Sequence, residues 1–185
     1  MASHTDNALN GWDLEAFQET VATVERNPEA GRLTWRGRVS WDGHFGLDAH
    51  ADAIEQLGEV IPRRFTMRGD HPPELLGENT GPTAVETLLA ALGACIAGTY
   101  AAHATAQGVP LDGLEVAVES AIDLNGFLQL APTPASLDGV AVTVKVRSDA
   151  DDQTLEEIRR IVTRASPVHD SLSRPVAIQS TVERL

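Results

Sequence analysis

The chain has 185 residues, one cysteine and a formal charge of −13, from 14 Lys and Arg against 27 Asp and Glu. That length suits one domain with a short extension, and it suffices to bury a core without disulfides or metals. The acidic balance excludes nucleic acid and anionic membrane as partners, since both need a basic patch. A single cysteine excludes an internal disulfide and a thiolate-rich zinc site.

In chain order, Leu14 to Glu25 places Leu14, Phe17, Val21 and Val24 at helical spacing, and Asn27-Pro28 stops that helix. Residues 1–31 therefore read as an N-terminal helical arm, and 32–185 as the main domain. Leu33 to Trp41 alternates as a strand, Asp42-Gly43 signals a hairpin, and Phe45 to Asp48 begins the return. Ala49 to Gly58 reads as a loop or short helical turn, and Val60 to Met67 as a third strand. Two prolines keep His71-Pro72-Pro73-Glu74 extended.

A long helix then runs from about Thr83 to Gln107. Thr83 and Glu86 form a capping-box pair at its start, and Gly108-Val109-Pro110 ends it. Leu114–Leu124 and Val140–Val146 are alternating strands, joined by a long connection. A helix over Gln153–Arg164 follows. Ser166-Pro167 then opens a short turn, with Ser166 as N-cap and Pro at the first helical position. Val176–Val182 reads as the last strand. The order is β-β-β-α-β-β-α-β, an α+β protein with an antiparallel sheet.

Cys95 lies in the middle of the long helix, whose Ala, Gly and Leu residues predict burial on every side, with a second copy of the helix as a fitting neighbour. A mid-helix cysteine far from the positive end of the helix dipole reads as a small buried hydrophobe. To act as a nucleophile it needs a nearby Arg, Lys or His. The apolar stretch Leu88–Ala102 is too short and too rich in Ala to span a membrane. The N-terminus shows no secretory pattern, so a cytoplasmic protein with a reduced thiol is expected.

Gly81–Cys95 (GPTAVETLLAALGAC) closely resembles the OsmC/Ohr family of osmotically induced and organic-hydroperoxide-resistance proteins. Asp70 to Asn79 resembles the loop before that family's cysteine helix. Further matches are Asp123-Leu124-Asn125-Gly126-Phe127-Leu128 and Ser166 to Leu172, with Arg174-Pro175-Val176 after it. The resemblance implies an intertwined homodimer with sites at the subunit interface. It also implies thiol-dependent reduction of organic hydroperoxides, with Cys95 matching the peroxidatic cysteine and no cofactor. Where the family places its second cysteine, this chain has Ser166, so an external thiol reductant is required. The Ohr branch carries a glutamate ten residues before the first cysteine; here that position is Val85, and the acid is Glu86. The first hairpin turn lacks the Arg of that branch, so the resemblance is to the OsmC-like branch, as a single-cysteine member.

Candidate site residues are thus Cys95, with Glu86, Arg63 and Arg64 as groups able to serve it. Each has a plainer role: Glu86 in the capping box, the arginines on a solvated strand face. The expected substrate is a small apolar peroxide or ligand, in a pocket lined by the helix and by residues such as Phe65 and Phe127. Ser166, His169 and Asp170 lie too close in sequence for a hydrolase triad. The six histidines show no metal-ligand spacing, so no metal is expected. A different class of function stays open: a non-catalytic dimer that binds an apolar small molecule, with Cys95 only packing.

Overall fold

The computed structural model describes residues 8–185; His4, among the six histidines, lies outside the described residues. The chain forms two compact units, one through Leu88 and one over Leu89–Leu185.

The first unit opens on a two-residue ladder that the sequence did not announce, β1 (Ala8–Leu9) against β2 (Trp12–Asp13). Helix α1 follows over Leu14–Arg26, with Asp13 accepting from the Glu15 and Ala16 amides as its N-cap. The main sheet is antiparallel, β3 (Leu33–Gly43), β4 (Gly46–Gln56) and β5 (Glu59–Gly69) in that order. Ala49–Gly58 is therefore not a loop: β4 runs on to Gln56. Its Ala and Asp residues have weak strand preference, but β4 is hydrogen-bonded on both sides, and that pairing overrides propensity. Pro62 fits because β5 is an edge strand.

The sheet has two unlike faces. Register aligns Gly37, Ala51 and Phe65; Val39, Ala49 and Met67; and Trp41 and Leu47. Alternation puts these on one face with Trp35. On the other face Arg38 pairs with Asp52, His50 meets Thr66 at 3.1 Å, and Arg68 pairs with Asp42 and Asp48. The apolar face is open: Trp35 is 72 % and Trp41 70 % exposed, and Val39, Phe65 and Met67 are exposed as well.

The long helix, α2, spans Ala84–Ala106. Its capping box forms as expected. The Thr83 amide donates to Glu86 Oε2 at 2.7 Å, and the Glu86 amide to Thr83 Oγ1 at 3.1 Å. Thr83→Ala is expected to lower stability by about 1 kcal/mol, read by thermal melting.

In the second unit, Leu92, Ile96, Tyr100 and Ala104 on one stripe of α2 form the core with Val109, Ile158 and Val162. The antiparallel pair β6 (Gly113–Ser120) and β7 (Val140–Arg147) packs on it through Leu114, Val116, Val118, Val144 and Val146. Between those strands lies the one-turn helix α3 (Leu124–Phe127). Helices α4 (Asp152–Ala165) and α5 (Pro167–Ser173) complete the unit.

Within a single chain α2 is buried along one stripe, and Ala90, Ala91, Ala94 and Gly98 on its small-residue side are exposed, the side for which a second copy of the helix is expected. Two expectations need correction. The same helix departs from the expectation of an apolar stretch too short to span a membrane. Capped at Thr83 and continued to Ala106, α2 is long and apolar enough by length and composition, although its large side chains are spent on the core of the second unit. Finally, Val176–Val182 forms no strand. Its alternation is a strand pattern, but a strand exists only with a ladder partner, and Ile178 and Val182 stay exposed.

Candidate functional site

Cys95 is partly exposed and lies between core residues Leu92 and Ile96 on α2. The helix is held in register by Tyr100, whose hydroxyl donates to the Leu155 carbonyl at 2.9 Å, and by Ile158 and Val162 of α4. Burial raises the Tyr100 phenol, so it remains a neutral donor. One turn beyond Val162 comes Ser166, whose amide donates to the Val162 carbonyl at 2.9 Å. The residue is 0 % exposed, and its hydroxyl donates to Cys95 Sγ at 3.1 Å.

This contact corrects one expectation. Ser166 does stand at the N-cap of α5, with Pro167 at the first helical position, but its side chain makes no capping hydrogen bond. The hydroxyl goes to sulfur instead. A buried hydroxyl needs a partner, and here that partner is the thiol. Nothing in the sequence announced the contact beyond the alignment of Ser166 with the family's second cysteine.

The other candidates are placed as follows. Glu86 sits in its capping box, and hydrogen bonding with Thr83 holds its carboxyl below the usual carboxylate range. Arg63 stacks over the Phe65 ring, 4.8 Å from its centroid, on β5. Arg64, also on β5, is exposed. Glu86, Arg63 and Arg64 belong to the first unit and Cys95 to the second. Phe65 and Phe127, expected to line a pocket, are both exposed. A cleft of about 240 Å³ in the second unit is lined by Tyr100, Val144, Val146, Asp152, Leu155, Glu156 and Arg159, without Cys95. Arg159 and Arg160 hold Glu156 down at about 2.

Sequence reasoning missed the organiser of the loop before α2. Asp70, 3 % exposed, accepts from the amides of His71 (2.7 Å), Glu78 (3.1 Å) and Thr80 (3.0 Å), and from the Thr80 hydroxyl (2.8 Å). The loop is tight at Gly77, where a Cβ would run into the His71 carbonyl. His71 stacks flat on Phe45, centroids 4.0 Å apart. Those hydrogen bonds, chiefly from Thr80, hold the Asp70 carboxyl far below its ordinary 3.8. A depressed carboxyl contributes stability above its unfolded value and loses it as pH falls toward the folded one. Asp70→Asn is therefore expected to melt at lower temperature than wild type at pH 7, and the gap should narrow in strong acid.

The family model described as OsmC-like protein matches residues 77–181, more than half of the chain. No curated protein matches it. Among solved structures, an OsmC-like protein from Mycoplasma pneumoniae is similar at TM-score 0.60 and 17% identity, over 76% of this chain and 87% of that one. A putative osmotic stress induced and detoxification response protein from Psychrobacter arcticus gives 0.53 and 15%, over 73% and 85%. An organic hydroperoxide resistance protein OsmC from Legionella pneumophila gives 0.52 and 16%, over 75% and 88%. These likenesses agree with the α+β fold of antiparallel sheets and helices, and with the family match they establish that the chain belongs to the OsmC-like protein family.

Proposed function

We propose that this chain is a cytoplasmic, stress-related thiol peroxidase that reduces small apolar organic hydroperoxides through Cys95 alone. The observation that carries the reading is the Ser166 hydroxyl donating to Cys95 Sγ, which gives a partly exposed sulfur a fixed donor. Membership of the OsmC-like family agrees with it, and one fold relative is named for organic hydroperoxide resistance.

In this reading the Cys95 thiolate attacks the outer peroxide oxygen. The O–O bond breaks, sulfur gains oxygen as a sulfenic acid, and the alkoxide takes a proton and leaves as alcohol. With Cys95 the only cysteine, an external thiol must complete the cycle. One thiol displaces water to give a mixed disulfide, and a second releases Cys95 and leaves as the oxidised reductant. The test is hydroperoxide consumption with a dithiol present. Wild type is expected to turn over and Cys95→Ser to give the uncatalysed rate; equal rates would sink the reading.

The working unit in this proposal is a homodimer. The open face bearing Trp35, Trp41, Phe65 and Met67, the exposed small-residue side of α2 and the unpaired Val176–Val182 segment all call for a partner surface. Residues 1–31 act as an arm on the 32–185 domain. Light scattering at micromolar concentration is expected to give a dimer, and a monomer would contradict it.

One observation favours the second reading, a dimer that binds an apolar small molecule without chemistry. Glu86 is engaged in its helix cap and Arg63 on Phe65, so both are occupied without any catalytic role.

A further inference from the structure

We infer that Ser166 is a positioning residue for the Cys95 sulfur, acting as hydrogen-bond donor to its reactive, charged form. The inference rests on the peroxidase reading for its purpose, but its geometry stands alone.

Three observations carry it. Ser166 occupies an N-cap position, where a serine side chain ordinarily turns back to the helix amides, yet its hydroxyl makes no capping bond. It is fully buried, among the few buried polar side chains of the described residues, and donates at 3.1 Å to sulfur. Its backbone is pinned on both sides: its amide donates to the Val162 carbonyl, and its carbonyl accepts from the Asp170 amide, each at 2.9 Å. The hydroxyl is therefore delivered by a rigid junction between α4 and α5, and it cannot swing to water without leaving the core.

A neutral thiol gains little from a hydroxyl donor, whereas a thiolate gains a charge-assisted bond. The donor thus holds the sulfur in one place and one direction for attack. After attack the same hydroxyl stays within reach of the sulfur that now bears oxygen. Serine here keeps the donor and omits the second thiol, so oxidised Cys95 waits for a reductant from outside the chain.

The test is alkylation of Cys95 by iodoacetamide at pH 7 in wild type, Ser166→Ala and Ser166→Thr, with melting recorded on each. Ser166→Ala removes the donor and also opens space, so a purely steric role predicts faster labelling. The inference predicts the opposite, a rate lower by about tenfold, with Ser166→Thr restoring most of it. A rate in Ser166→Ala equal to or above wild type overturns the inference.

Ser166→Cys keeps the residue's size closely and provides an independent check on placement. One equivalent of diamide, which takes two electrons from a thiol pair and is itself reduced to the hydrazine, is expected to join Cys95 to the introduced thiol as a disulfide, read as loss of both free thiols in the monomeric species on a non-reducing gel. Retention of both free thiols in the monomer would contradict the contact. The two proposals fail separately. If wild type consumes no hydroperoxide but Ser166→Ala still labels slowly, the peroxidase reading falls and the positioning role stands.

Discussion

Replacing Ile158 by Ala is expected to cost about 2–5 kcal/mol, the usual penalty for emptying a buried branched side chain. Ile158 is 0 % exposed and sits in the cluster that holds α4 on the stripe of α2 next to Cys95. The change leaves a cavity among Leu92, Ile96, Tyr100 and Val162, whose positions are fixed by strands behind them and cannot collapse inward freely. For a chain of this length the loss corresponds to a fall in Tm on the order of 10 °C. Because the chain has two compact units, the effect should concentrate in the second. Faster amide exchange in α2, α4, β6 and β7, with the β3–β4–β5 sheet changed little, is the expected signature. An unchanged Tm would mean that this cluster is not the core of that unit.

The second large effect is on stoichiometry. With Cys95 the only thiol in the chain, one equivalent of peroxide added without reductant should be consumed once per chain, and any excess only in the slower steps that carry the sulfenic acid to sulfinic and sulfonic acid, without turnover. Adding a dithiol should restart consumption. A protein that kept turning over without added thiol would have another source of electrons, and the single-cysteine cycle would be wrong. Once Cys95 is oxidised, the halt follows from the absence of a second thiol in the chain to reduce its sulfenic acid.

Much of this fold is legible in local sequence because its signals are local. The capping box at Thr83 and Glu86 needs only four residues, and the structure forms both of its hydrogen bonds. The β6 and β7 strands follow from branched apolar residues at every second position, Leu114, Val116 and Val118 on one and Val140 to Val146 on the other, although β6 ends at Ser120 and Leu124, read as its end, opens α3 instead. Strand β4 was hidden because Ala and Asp carry no strand preference of their own; its identity comes from β3 and β5 on either side. The C-terminal segment shows the converse. Val176, Ile178 and Val182 have the pattern of a strand, but no pattern supplies a pairing edge.

The site was legible in part. Cys95 stood out as the only cysteine on a helix of small residues. What its environment does was not readable, because Ser166 lies 71 residues away in sequence and meets it only through the packing of α4 on α2. Asp70 was overlooked for a related reason. A single Asp before His-Pro-Pro looks like any loop acid, and its role emerges only when the amides of residues 71, 78 and 80 converge on it.

The claim at the centre of this account is that the Cys95 sulfur is the atom that takes oxygen from a hydroperoxide. The most direct measurement treats the protein with one equivalent of an organic hydroperoxide in the presence of dimedone, which adds to sulfenic acids, and reads the intact and digested masses. One dimedone adduct per chain is expected, on the peptide containing Cys95, appearing as the hydroperoxide disappears. Disappearance of the hydroperoxide with Cys95 still a free thiol, or no disappearance at all, would contradict it.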